Sequence, residues 1–242
     1  MTLLVALRGK DGIVAAADSR GTFGDPRGVT AQNDSQQKVH LVSAHAAVLM
    51  AGSGELGTQL VTEIAALARQ QRMDGATQAM QLVRQIARAR YAEWFPHLPP
   101  AVPPGMPGIG RPELAFMVAG YDADAGGQYT VPRLYQVISV LDFPPTLHEY
   151  GFALSGIAQY ALYLLNRLYE PDRSLKDLLA LAVYVITETA SQDGKVGGPV
   201  RVVTVTPERG GVTLTDDEVR KIHESNEERG AALRKSFYTS SK

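Results

Sequence analysis

The chain has 242 residues, a hydrophobic fraction of 45%, a charged fraction of 20% and a formal net charge of −1. That length can bury one sizeable layered core, and so balanced a charge leaves no electrostatic footprint for nucleic acid or an anionic membrane. There is no cysteine, which excludes disulfides, thiolate metal sites and cysteine nucleophiles.

The first twenty residues predict a hairpin. Leu3 to Leu7 and Ile13 to Ala17 are apolar runs of strand length, and the polar turn between them carries Gly9 and Gly12. Paired in register, they put Thr2 near Asp18 at one end, next to Ser19 and Arg20. Gly21 to Gln37 is rich in Gly, Asp, Asn, Ser and Gln and reads as a surface loop ending at Lys38. Val39 to Val42 and Ala46 to Met50 predict a second strand pair, closed by Ala51-Gly52-Ser53-Gly54. Apolar residues at helical spacing predict amphipathic helices over Glu55 to Arg72 and about Thr77 to Phe95. Seven prolines between Pro96 and Pro112 exclude regular structure there and predict an exposed loop.

Leu114 to Tyr121 reads as a strand, Tyr129 to Val140 as a further pair, clearest at Arg133 to Ser139. Phe152 to Leu154 reads as a strand ending at Ser155-Gly156. Helices follow over Ala158 to Tyr169 and Leu175 to Ser191, the second with Ser174 as N-cap. Asp193 to Gly198 is a tight turn. Val200 to Thr206 is a β-branched strand that Gly211 to Leu214 can pair with. Thr215-Asp216-Asp217-Glu218 opens a charged terminal helix ending near Lys235. Paired helices alternating with hairpins predict an α+β fold, a four-layer αββα sandwich of two mainly antiparallel sheets with a C-terminal helix. The expected units are a domain over 2–214, with the loop 96–112 inserted, and a helix and tail over 215–242. The N-terminus lacks a secretory signal and no stretch reaches bilayer length, so a cytoplasmic location with no membrane partner is expected.

Gly52-Ser53-Gly54-Glu55-Leu56-Gly57 spells G-x-G-x-x-G after a strand and into a helix. The next element is another helix, not a second parallel strand ending in an acid, so the pattern does not predict a dinucleotide site. Its glycines instead suit close backbone approach. His40, His45, His97, His148 and His223 show no ligand spacing, and no metal or other cofactor is expected.

Several of these residues together resemble the proteasome β-subunit family. They are Thr2 before an apolar strand, Gly12, the run Ile13 to Arg20, Lys38-Val39, and Met50-Ala51-Gly52 before a helix. Downstream, Ser155-Gly156 and Asp193 to Gly198 resemble two more of its motifs. The likeness runs roughly from Thr2 to Thr206. It implies an N-terminal-nucleophile hydrolase with the αββα sandwich, acting as a threonine-type endopeptidase. By the resemblance, Thr2 is nucleophile and base once Met1 is removed, and Asp18 and Lys38 tune and orient it. The Gly52 N–H faces the oxyanion, and Ser155 and Asp193 support the amine. By position, Gly21, His40, Met50 and Gly54 are expected to line the substrate side-chain pocket. The family also implies self-association into a ring or helical homo-oligomer, a peptide or unfolded-protein substrate, and an ATPase unfoldase as an optional partner. Three departures stand out: a longer loop between Arg20 and Lys38, the proline-rich insertion, and Val196 where a serine is usual. Nothing but Met1 precedes Thr2, whereas many β-subunits carry a propeptide. The alternatives are a catalytically silent ring subunit and an amidohydrolase or transpeptidase for one small substrate. On the residues alone, Asp18 with Lys38 or Arg20 reads equally as a structural ion pair, Ser155 as a helix cap and Asp193 as a turn former.

Overall fold

In the structure, a computed structural model, the two opening apolar runs pair as expected. They form β1 (Leu3–Arg8) and β2 (Ile13–Ala17), with Leu4 opposite Ala17 and Arg8 opposite Ile13. Residues 2–25, 28–102 and 108–238 are described. The segment expected to be a loop is instead an antiparallel ribbon, β3 (Gly21–Asp25) and β4 (Gly28–Asn33). Its glycines, aspartate and asparagine masked the strand formers Thr22, Phe23, Val29 and Thr30. Then come β5 (Val39–Ser43), β6 (Ala46–Gly52), α1 (Gly54–Gln70) and α2 (Ala76–Trp94). The proline-rich stretch that follows has no regular structure among its described residues, and 103–107 lie outside them. Arg111 joins its ends: its N–H donates to the Pro99 carbonyl (3.0 Å) and its Nε to that of Leu98 (2.9 Å).

The chain continues through β7 (Leu114–Asp122), β8 (Val131–Ile138), β9 (Pro145–Leu147) and β10 (Phe152–Gly156). The pair expected over Tyr129 to Val140 is the single strand β8, and its outer partner is β9. The Asp124 carboxylate accepts from the N–H groups of Gly126 (2.8 Å) and Gln128 (3.0 Å) and from the Thr130 hydroxyl (2.8 Å). That holds residues 124–130 as a loop, so the strand starts only at Val131. The last elements are α3 (Gln159–Leu168), α4 (Leu175–Gln192), β11 (Arg201–Thr206), β12 (Gly210–Thr213) and α5 (Asp216–Phe237). Ser174 with Asp177 and Thr215 with Glu218 form full capping boxes at α4 and α5.

Two five-stranded antiparallel sheets result, in the orders β10-β1-β2-β11-β12 and β5-β6-β7-β8-β9. Helices α1 and α2 cover one sheet, and α3 and α4, joined by α5, cover the other, giving the αββα sandwich. Period-2 alternation delivers the layers. On β1, Leu3, Val5 and Leu7 face α3 and α4, while Leu4 and Ala6 face the opposite sheet. On β6, Ala46, Val48 and Met50 face α1 and α2, while Ala47, Leu49 and Ala51 face inward. The layer between the sheets is rich in alanine: Ala6, Ala15, Ala17 and Ala153 meet Ala47, Ala51 and Ala119. Small side chains let the sheets close tightly there, so added bulk has nowhere to go. Ala47→Leu is expected to cost about 1–3 kcal/mol by overpacking, read as a lower midpoint in denaturant unfolding.

Candidate active site

Asp18 follows β2 at the end where β1 begins. It is fully buried, and its carboxylate is shared among four donors. Oδ1 accepts from the Leu3 N–H (2.9 Å) and from Lys38 Nζ (2.9 Å). Oδ2 accepts from the N–H groups of Arg20 (3.2 Å) and Gly197 (3.1 Å). A buried carboxylate is sustained by such a set of charge-assisted bonds. One oxygen therefore ties the backbone directly after Thr2 to the Lys38 ammonium. Lys38, at the entry to β5, is 1% exposed and also donates to the Arg20 carbonyl (2.7 Å). Burial pushes its pKa down from the ordinary value, against the opposing pull of Asp18.

Thr2 is 5% exposed. Its carbonyl accepts from the Ile157 N–H (2.8 Å), just past β10. Gly156 has φ +87°, and a Cβ there would lie 1.8 Å from the Thr2 carbonyl oxygen, so a glycine is required for the chain to pass. Ser155, buried, pairs with Leu4 across the β1–β10 ladder, one residue from that contact. Gly52 ends β6 with φ +108°, and a Cβ there would fall 2.2 Å from the Glu113 carbonyl oxygen. The Met50 N–H donates to the Lys38 carbonyl (2.9 Å), and Gly52 lies two residues, about 7 Å, further along β6.

Asp193 acts within its own turn. Its Oδ1 accepts from the Lys195 N–H (2.9 Å) and its carbonyl from the Val196 N–H (3.0 Å). The turn so shaped is what brings the Gly197 N–H to Asp18. Val196 is buried in the core against α4, where no hydroxyl is available to the site.

The four residues expected to line the pocket divide. Gly21 and Gly54 lie on either side of the Gln36 carboxamide: a Cβ on Gly54 would overlap Gln36 Nε2, and one on Gly21 would sit 3.3 Å from Oε1. His40 is half-buried with Nε2 3.2 Å from the Gln37 carbonyl, and burial lowers its pKa. Met50 is packed in the core beneath α1 against Gly57. Sequence reasoning did not single out Gln36, Ser19 or Asp34, which all bind near Asp18. The Gln36 N–H donates to the Ser19 carbonyl (3.0 Å), and the Ser19 hydroxyl donates to the Pro199 carbonyl (2.6 Å). Asp34 accepts both arms of the Arg20 guanidinium (2.7 and 2.8 Å). Gln36 and Asp34 lie in a polar stretch whose only sequence signal is composition, and Ser19 was read only as part of the run Ile13 to Arg20. Among the described residues, no group of three or more His, Asp or Glu is placed to hold a metal.

The family described as proteasome subunit matches residues 2–94, which holds Thr2, Asp18, Lys38 and Gly52. Over those residues the chain is similar to proteasome subunits, and the curated relatives it matches are β-subunits. It is 28% identical over 228 residues to "Proteasome subunit beta 2" of Thermomonospora curvata, covering 92% of this chain and 72% of that one. It is also 28% identical to "Proteasome subunit beta 2" of Pyrococcus furiosus, covering 85% of this chain and 87% of that one. Its fold matches a solved structure described as the Anbu (Gly-1) mutant from Hyphomicrobium sp. strain MC1. The TM-score is 0.69 at 18% identity, over 100% of this chain and 99% of that one.

Removing one partner of the buried pair leaves the other uncompensated. Asp18→Asn is expected to cost about 3–5 kcal/mol. The sign with pH follows from Lys38. A lysine whose folded pKa is depressed binds fewer protons folded than unfolded in the interval below its ordinary value, so stability rises with pH there. Without Asp18 the depression deepens, and the deficit of Asp18→Asn against the parent is expected to shrink as pH rises toward the ordinary lysine value in denaturant unfolding.

Proposed function

We propose that this chain is a threonine-type peptidase of the proteasome β kind, cleaving peptide bonds through an acyl-enzyme on Thr2. The observation that carries the reading is the Asp18 carboxylate, whose Oδ1 binds both the Leu3 N–H and the buried Lys38 ammonium. A cation is thereby fixed beside the residue that follows Thr2. An alcohol needs a base to become a useful nucleophile. The α-amine of Thr2 supplies one once Met1 is removed, and Met1 lies outside the described residues. The reference pKa of an α-amine is near 8, and a neighbouring ammonium disfavours its charged form.

In this mechanism Oγ1 of Thr2 attacks the peptide carbonyl and its proton passes to the amine. The oxyanion is met by the Gly52 N–H. Collapse expels the leaving amine, which takes the proton back, and leaves an ester on Thr2. Water then attacks that ester with the same amine as base, releasing the acid and restoring the hydroxyl. Asp18 and Lys38 orient and tune this centre, Ser155 supports it from β10, and Asp193 supports it through the turn it forms. Gly21, Gly54 and His40 border the substrate channel, with Met50 beneath it.

Self-association into a closed ring or an open helical array fits the relatives, which are named as subunits. It also fits the apolar side chains left exposed on α3 and at the end of α5, Tyr160, Tyr163, Leu168 and Phe237. Peptides or unfolded protein are the substrates of this reading, a cytoplasmic setting its location, and an ATPase unfoldase a candidate partner. Among the described residues, no helix is long and apolar enough to cross a membrane.

The test is turnover of a peptide library and an unfolded protein by the parent, Thr2→Ala and Thr2→Ser. Cleavage by the parent is expected, with a loss of at least about a hundredfold in Thr2→Ala and residual activity in Thr2→Ser. Cleavage undiminished in Thr2→Ala overturns the reading. A parent that turns over one small amide and no peptide replaces it with the amidohydrolase, and an inert parent with the silent subunit.

A further inference from the structure

Asp34 sits on the loop between β4 and β5, one segment removed from Thr2. Its carboxylate takes Nε and Nη2 of Arg20 in a two-pronged pair (2.7 and 2.8 Å). The remaining arm, Nη1, donates to the Gly194 carbonyl (3.0 Å). Asp34 also packs onto Gly198, where φ is +71° and a Cβ would come within 2.8 Å of the Asp34 Cβ. It thus grips two segments at once, the strand exit at Arg20 and the turn at Gly194 to Gly198. Both donors to Asp18 Oδ2 come from those segments: the Arg20 N–H and the Gly197 N–H. The Arg20 carbonyl in turn accepts from Lys38 Nζ (2.7 Å).

We propose that Asp34 is a positioning residue for the Thr2 centre: through Arg20 and the Gly197 turn it fixes the Asp18–Lys38 pair and sets the charge balance around it. The inference rests on the reading of Thr2 as nucleophile. The charged groups acting on Lys38 are Asp18, Asp34 and Arg20. The neighbouring strands β6 and β10 carry no charged residue. Arg20 holds the Asp34 carboxyl below the usual carboxylate range, so it stays ionised through the working range. The Asp34 side chain is 41% exposed. An ion pair so open contributes little to global stability, which makes an effect on the site separable from an effect on folding.

The experiment measures the rate of Thr2 acylation against pH with a threonine-directed covalent inhibitor, on folded protein checked by thermal unfolding. Removing the Asp34 charge makes the surroundings of the amine more positive, and removing the Arg20 charge makes them less so. The acid limb in Asp34→Asn is therefore expected to move down by roughly half a pH unit and that in Arg20→Gln to move up. The limiting rate in Asp34→Asn falls about three- to tenfold, and Asp34→Glu returns the limb to the parental position. If Asp34→Asn does not fold, the smaller neutral Asp34→Ser carries the same expectation. A parent that labels at Thr2 while the neutral variant keeps the parental limb overturns the proposal, and so do limbs that move the same way in both charge removals. A parent that does not label at Thr2 overturns the function reading and this proposal with it.

Discussion

One carboxylate organises this end of the molecule. Asp18 is fully buried, and its four donors come from four separate stretches: the start of β1, the exit of β2, the entry to β5 and the turn after α4. A buried charge survives only when it is paired and its lone pairs are filled. The sandwich therefore has to close in one register for Asp18 to be satisfied, and closing in that register sets Lys38 beside Leu3. The same requirement that stabilises the junction also puts an ammonium on the carboxylate oxygen that holds the residue after Thr2. Fold and proposed chemistry share a single constraint.

The sheets make that constraint achievable. Alanines between them let β2 and β6 approach closely, so residues at the ends of different sheets come within hydrogen-bond reach. Where backbones crowd beside the site, glycine is the residue that fits. Gly156 against the Thr2 carbonyl and Gly52 against Glu113 both adopt positive φ, at the two places where the chain must turn out of a strand beside the site. Regular alternation carries the core, and two of the departures from it stand at the Thr2 end.

The strands with clean alternation or strong apolar runs, β1, β2, β6, β7 and β11, were legible from residue type, as were the helices α1, α2, α4 and α5, the Ser174 N-cap and the capping box at Thr215. The meeting of Asp18 and Lys38 at the start of β1 was legible because hairpin register and family spacing point to the same end. What escaped lacked a periodic signature. The β3–β4 ribbon is rich in turn-forming residues, and β9 is three residues long and begins with proline. Two supporting polar residues, Asp34 and Gln36, sit in a stretch where composition says loop and nothing more. Met50 shows the opposite limit: its position on β6 suggested the pocket, but its parity on the strand turns it toward α1.

The account stands on the chemical state of the N-terminus. The most direct measurement is the intact mass of the protein before and after reaction with a threonine-directed covalent inhibitor, followed by mapping of the modified residue. The expected result is a chain lacking Met1 that gains one adduct, carried on Thr2. A catalytically active chain that retains Met1, or an adduct on any other residue, would contradict it.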